Sequence, residues 1–171
     1  MRNTLLVWLI VSVGTLFNTL ALAAAQQPAR VLFINPGFAT ESFWQDVDDY
    51  ANAAAKALNL DLTIRHADRN HFAMRQILSA TLNKPTRPDY VIIVNEKLAA
   101  DNLLPMLRNY PIYVQVILND MDEQTKKTLK QDTHWQEFLL PSIIPDNQTI
   151  GYAIAEEMVL AGNDEPGEAV M

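Results

Sequence analysis

The amino-acid sequence predicts an α/β fold, a doubly wound parallel sheet of about five strands with flanking helices. Short apolar runs, such as Arg30–Asn35 and Tyr90–Val94, alternate with longer segments in which apolar residues recur at helical spacing. Continuous apolar runs are typical of strands buried on both faces. Strand–helix alternation at this spacing favours parallel pairing, and we expect the strand order 2-1-3-4-5.

Each predicted strand is a short run bounded by polar or turn residues. The five strands cover Arg30–Asn35, Asp61–His66, Tyr90–Val94 and residues 112–118 and 137–144. The last run contains Pro141, which lacks an N–H for a strand ladder, so this strand is expected at an edge of the sheet.

Four helices are predicted between and after these strands. They are Ser42–Leu58, a second helix capped by Asn70, residues 98–109 with Pro105 near the first turn, and residues 149–160. In the first helix we expect Phe43, Val47, Tyr50, Ala54 and Leu58 to form the buried face. Residues 121–136 are interpreted as a long polar insertion, and the acidic run at residues 46, 48 and 49 as a solvated helix face.

The N-terminus has the features of an export signal. Arg2 is the only charged residue among the first 29, an apolar run at residues 5–22 follows, and small residues then fit a signal-peptidase site near Ala23 or Ala25. The alternative is a transmembrane anchor, because the run is near the length that spans a bilayer. The sequence predicts a signal peptide at residues 1–25 and a periplasmic product.

Composition excludes several classes of function. The chain of 171 residues has no cysteine, so disulfides, thiolate metal sites and cysteine nucleophiles are absent. Its formal charge of −7 argues against a nucleic-acid partner. The three histidines lack metal spacing, and no glycine-rich phosphate loop or nucleophile-elbow motif occurs. We therefore predict no enzyme activity, no catalytic residue, no metal and no cofactor.

Polar residues follow every predicted strand. They are Asn35-Pro36-Gly37, residues 66–69, Asn95-Glu96, Asn119-Asp120 and Asp146-Asn147. Parallel strands joined by right-handed crossovers all end at one edge, where α/β sheets bind ligands. This pattern favours a ligand crevice at the carboxyl edge over ordinary polar loops.

Several motifs, taken in order, resemble the type I periplasmic binding proteins of the ribose- and galactose-binding kind, which share a fold with the ligand-binding part of LacI-type repressors. They are the strand VLFINPG, the aromatic pair Phe43-Trp44 at a helix start, a long Ala-rich helix, the strand end Leu118-Asn119-Asp120, and IIPDNQTIGYAIAEEM, which is similar to the family's crossing point between lobes.

The resemblance implies two Rossmann-like lobes that close on a small ligand. Residues 28–147 would form the N-terminal lobe and residues 148–171 a truncated start of the second. It also implies a small polar, sugar-like ligand and a membrane permease of an ABC importer as partner. A chemoreceptor or sensor histidine kinase is the alternative partner, and a hydrolase- or isomerase-like enzyme is a further alternative.

The resemblance and the strand ends together indicate seven ligand-binding residues: Glu41, Phe43, Trp44, Asn95, Asn119, Asp120 and Asp146. An aromatic face can pack against a sugar ring, and amide side chains can both donate to and accept from hydroxyls. Structural alternatives remain open for these residues. Phe43 could be core, Glu41 a helix-start charge, the asparagines loop caps, and Asp146 a hinge residue.

Overall fold

The computed structural model describes residues 27–162, so the predicted signal peptide and the last nine residues lie outside the described part. Four strands are present: β1 (Arg30–Asn35), β2 (Asp61–His66), β3 (Tyr90–Val94) and β4 (Tyr113–Ile117). Six α-helices accompany them: α1 (Ser42–Leu58), α2 (His71–Leu82), α3 (Ala99–Leu107), α4 (Glu123–Lys130), α5 (Thr133–Phe138) and α6 (Asn147–Ala161). A short 3₁₀ turn at Glu96–Leu98 precedes α3.

The four strands form one parallel sheet in the order β2-β1-β3-β4. Leu32 and Ile34 of β1 belong to the large core that also contains residues of α2 and α3, whereas Phe33, which points to the opposite face, packs with Trp44 of α1. Helices therefore cover both faces. The predicted fold class and the order of the first four strands are confirmed.

The predicted fifth strand, residues 137–144, is not a strand. Helix α5 ends at Phe138, and the segment that follows contacts β4 through two isolated parallel bridges, at Leu139 and Ile143. Pro141 lies between these bridges and cannot donate to a ladder. The segment does occupy the predicted edge position, because the Ile143 N–H donates to the Val116 carbonyl at 3.0 Å.

The predicted polar insertion, residues 121–136, is largely helical. Asp122 caps α4 by accepting from the Thr125 N–H, and Asp132 caps α5 by accepting from the His134 N–H. Trp135 of α5 is 5% exposed and belongs to the large core. Helix α5 thus packs beside β4, the last strand of the sheet. The two aspartate caps are the sequence signal for these helices that the prediction overlooked.

Helix α1 buries a different face from the one that its apolar spacing predicts. Phe43, Tyr50 and Leu58 are exposed, whereas Trp44 and Ala55 are buried. The two stripes are offset by about one residue, and each has helical spacing. Periodicity therefore identified the helix, but contact with the sheet decided which stripe is buried.

Two further differences concern α3 and α6. Pro105 lies inside α3 rather than in its first turn, because α3 already begins at Ala99, more than one turn before it. No residue of α6 is buried. Across residues 27–162, no helix has both the length and the apolar character that crossing a bilayer requires.

Candidate functional site

A depression of about 260 Å³ lies at the carboxyl edge of the sheet. Four chain segments contribute to it: the start of α1 and the residues at the ends of β2, β3 and β4. Its lining residues are Phe43, Trp44, Arg69, Val94, Glu96, Leu118 and Asn119. The strand ends that the sequence singled out therefore do meet around one concave surface, which we call the crevice.

The backbone around the crevice is strained. Left-handed conformations with φ between 50° and 64° occur at five non-glycine residues of the strand ends, which are Asp68, Arg69, Lys97, Leu98 and Leu118. Each costs about 1–2 kcal/mol relative to an ordinary helical or extended conformation. Such outliers concentrate at ligand sites, and they support a functional interpretation of this edge independently of its polar side chains.

Phe43 and Trp44 meet edge to face at the mouth of the crevice, with ring centroids 5.0 Å apart. Phe43 is 56% exposed, whereas Trp44 is 4% exposed and packs against Phe33 and Val94. The structure therefore makes Phe43 the accessible aromatic face and Trp44 its support. The Trp44 indole Nε1 is buried and has no hydrogen-bond partner among the described residues.

Arg69 is the central charged group of the crevice, and the sequence interpretation missed it. Its Nε donates to Glu41 Oε1 at 3.0 Å, its Nη2 also bonds to the Glu41 carboxylate, and its Nη1 donates to both oxygens of Glu96 at 3.1 Å. These three residues form what we call the clamp, which ties together the start of α1 and the ends of β2 and β3. The Arg69 hydrogen bond lowers the pKa of the Glu41 carboxyl, and the two carboxylates raise the pKa of Arg69.

Asn95 and Asp120 are bonded within the protein. The Asn95 side chain is 6% exposed, accepts from the Ala100 N–H and donates to the Asp120 carbonyl, each at 2.9 Å. The Asp120 carboxylate accepts from Ser142 and Lys126, also at 2.9 Å. Burial disfavours ionisation of Asp120, but these hydrogen bonds outweigh it and lower its pKa. Both side chains hold the strand ends in place, as the capping alternative expected.

Asn119 and Asp146 differ in their surroundings. Asn119 is exposed and lines the crevice beside Leu118. Asp146 is the N-cap of α6, and its carboxylate accepts from the N–H and the hydroxyl of Thr149, which lowers its pKa. Among the predicted residues, Phe43 and Asn119 are thus the exposed ones that line the crevice.

A second polar network supports the loop after β1. Asp48 of α1 accepts from the Asn35 amide at 2.7 Å and contacts His66 Nε2 at 2.8 Å. Asn35 in turn accepts from the Gly37 N–H, and His66 Nδ1 faces the Gly37 carbonyl. The expectation that Asp48 is a solvated surface charge is wrong. Its carboxylate bonds to Asn35 and His66, which in turn hold the Gly37 backbone next to Trp44.

Within residues 27–162, no three histidine, cysteine or acidic side chains are grouped as a metal site would require. The crevice instead presents one aromatic face, one amide and the Glu96 carboxylate paired with the Arg69 guanidinium. This combination suits hydrogen bonding to hydroxyls and packing against an aliphatic ring face.

No protein-family model matches the sequence, and no curated protein matches it. The chain is similar in structure to a periplasmic sugar-binding protein from Pseudomonas fluorescens. The TM-score is 0.66, and the sequence identity is 26% over 82% of this chain. The chain spans 39% of the length of that protein. The described residues therefore have the fold of one lobe of a periplasmic binding protein.

Proposed function

We propose that the chain is the ligand-binding N-terminal lobe of a periplasmic solute-binding protein, and that its crevice binds a small polar ligand such as a sugar. The crevice at the carboxyl edge carries this proposal, because it combines an exposed aromatic face with hydrogen-bonding groups. The similarity to a sugar-binding protein supports it.

The distribution of accessible groups supports a hydroxyl-rich ligand. Phe43 offers an exposed ring of the kind that packs against the C–H face of a sugar. Asn119 and Glu96 lie beside it and can exchange hydrogen bonds with hydroxyl groups. Trp44, whose ring meets Phe43 edge to face, also lines the crevice and can report on a ligand there.

We further propose that residues 1–25 direct export to the periplasm and that α6 belongs to a second lobe. The absence of any buried residue in α6 supports the second part of this proposal. In this proposal the permease of an ABC importer receives the ligand, and a chemoreceptor or sensor kinase is the alternative partner. Genes for a permease and an ATPase beside this one would favour uptake, and a histidine kinase gene would favour sensing.

A titration followed by nuclear magnetic resonance tests the ligand proposal on this chain. The protein is labelled with ¹⁵N and titrated with neutral sugars and polyols at tens of millimolar, since one lobe supplies only part of the contacts of a closed site. We expect the Trp44 indole N–H signal to move, while that of Trp135, which α5 places in the large core, stays in place. Movement of neither signal across the panel, or of both equally, would contradict the proposal.

A matched pair of variants separates ligand contact from folding. Phe43→Ala removes the exposed ring from the crevice, and Tyr50→Ala removes a still more exposed ring from the same helix outside it. We expect Phe43→Ala to weaken binding about tenfold, corresponding to the loss of an aromatic contact, and Tyr50→Ala to leave it unchanged. Equal effects of the two variants would argue against a ligand at Phe43.

A further inference from the structure

The clamp bears on the charge of the ligand, and the inference drawn from it rests on the function proposed above. A guanidinium has five N–H donors in a planar fork, and a carboxylate can form a two-point contact along either the Nε–Nη edge or the Nη–Nη edge. In the clamp, the Nε–Nη2 edge of Arg69 faces Glu41, and Nη1 donates to Glu96. A carboxylate or phosphate on a ligand would have to displace one of these partners to obtain a two-point contact, because each edge has at least one nitrogen already bonded.

The clamp also pairs two carboxylates with one guanidinium beside the crevice. Glu41 and Glu96 are largely shielded, with side chains 29% and 19% exposed, and the single positive charge of Arg69 lies between them. An anionic ligand in the crevice would meet Glu96, which lines it, and would find Arg69 already paired. Like charges brought together at a binding surface disfavour binding.

Two other cations lie near this edge of the sheet. Lys97 is exposed, and its ammonium lies 3.4 Å from the Arg69 carbonyl. It lines an adjacent depression that shares Arg69 and Glu96 with the crevice, but it does not line the crevice. Lys126 is paired with Asp120 and Glu123. Within residues 27–162, the cation that lines the crevice is Arg69, and each of its three nitrogens already donates to a carboxylate.

We propose that Arg69 determines ligand charge by acting through Glu41 and Glu96, and that the crevice binds neutral or amino sugars while rejecting sugar acids and sugar phosphates. The lone pairs that the two carboxylates keep free accept hydrogen bonds from hydroxyl or ammonium groups. The guanidinium acts as a positioning group that holds these acceptors in place, rather than as the anion contact that an arginine in a crevice usually provides.

Four ligands that share one ring test this proposal. The ¹⁵N-labelled protein is titrated with glucose, glucosamine, glucuronate and glucose 6-phosphate, and the Trp44 indole signal is followed. We expect glucose and glucosamine to bind at least about tenfold more tightly than the two anions, in line with the cost of juxtaposed like charges. Anions that bind as tightly as glucose would overturn the charge rule yet leave the solute-binding proposal standing. If none of the four ligands bound, both the charge rule and the solute-binding proposal would be refuted.

A charge-neutralising variant tests whether the clamp causes the selection. Glu41→Gln releases the Nε–Nη2 edge of Arg69, and we expect glucuronate to gain about tenfold in affinity as it takes that edge. Glu137→Gln removes the same charge from an exposed residue of α5 and should leave the ratio of glucuronate to glucose affinity unchanged. Glu96→Gln repeats the test on the other arm of the clamp. Unaltered ratios in both clamp variants would show that Arg69 does not control ligand charge.

Discussion

Replacing Gly37 with alanine should strongly destabilise the protein, because a Cβ at this position would overlap three atoms of the Trp44 indole ring. Neither partner can move away easily. The Gly37 N–H donates to Asn35 at 2.9 Å and its carbonyl faces His66, which holds the backbone. The indole is packed between Phe33 and Val94 and is 4% exposed. The clash must therefore be relieved by displacing the ring.

The expected loss lies between two limits. Overpacking of a rigid core costs about 1–3 kcal/mol, and complete loss of a buried tryptophan side chain costs about 3–5 kcal/mol. We expect Gly37→Ala to lower the free energy of unfolding by about 2–4 kcal/mol, measured by urea denaturation followed by circular dichroism. For a domain stabilised by about 5–15 kcal/mol, this is a large fraction.

The same substitution at Gly151 provides the control. A Cβ at Gly151 meets no atom within 4 Å, and the residue lies inside the exposed helix α6, where alanine is the better helix former. Gly151→Ala should therefore cause no loss of stability. A Gly37→Ala protein within about 0.5 kcal/mol of the parent, the size of an ordinary surface substitution, would refute the packing argument.

Three further predictions concern the strand ends. Asn95→Ala leaves a buried N–H and a carbonyl without partners and should lower the free energy of unfolding by about 2 kcal/mol in urea denaturation; an unchanged midpoint would contradict its structural role. Leu98→Gly relieves a left-handed backbone at φ 59° and should raise the free energy of unfolding by about 1 kcal/mol. The control Ala54→Gly, in the middle of α1, should lower it by about 1 kcal/mol. Equal losses in the two variants would show that Leu98 is unstrained. Asp120 has a lowered pKa, so the stability from its pair with Lys126 is present above the unfolded value of about 3.9 and is lost as pH falls through the lower folded value. Asp120→Asn should therefore cost about 1 kcal/mol at neutral pH and progressively less in acid, a difference that urea denaturation at several pH values detects.

The elements that depend on local signals were predictable. The limits of β1, β2 and β3 and of α1 agree with the structure, because each is bounded by proline, glycine or a polar cluster that interrupts a periodic pattern. The Asn70 cap of α2 was also predictable from residue type, and its side chain does accept from the N–H groups of the first turn.

The elements that depend on contact with a neighbouring strand or with the sheet could not be predicted from local signals. A run such as residues 137–144 has strand-like composition, but a strand forms only where a neighbour can complete the ladder, and Pro141 prevents that beside β4. The buried stripe of α1 was ambiguous for a similar reason, since two stripes one residue apart have equal periodicity and only the sheet selects Trp44 over Phe43.

The sequence by itself determined that this chain has an α/β architecture and that polar residues gather where its strands end. Those properties follow from local periodicity and from the geometry of parallel strands. The tertiary structure alone decided what each polar residue does. It committed Asn95 and Asp120 to internal hydrogen bonds, left Asn119 open, and brought Arg69 between Glu41 and Glu96. The Asn95–Asp120 bond and both arms of the clamp join residues 25 to 28 positions apart, so no local pattern records them.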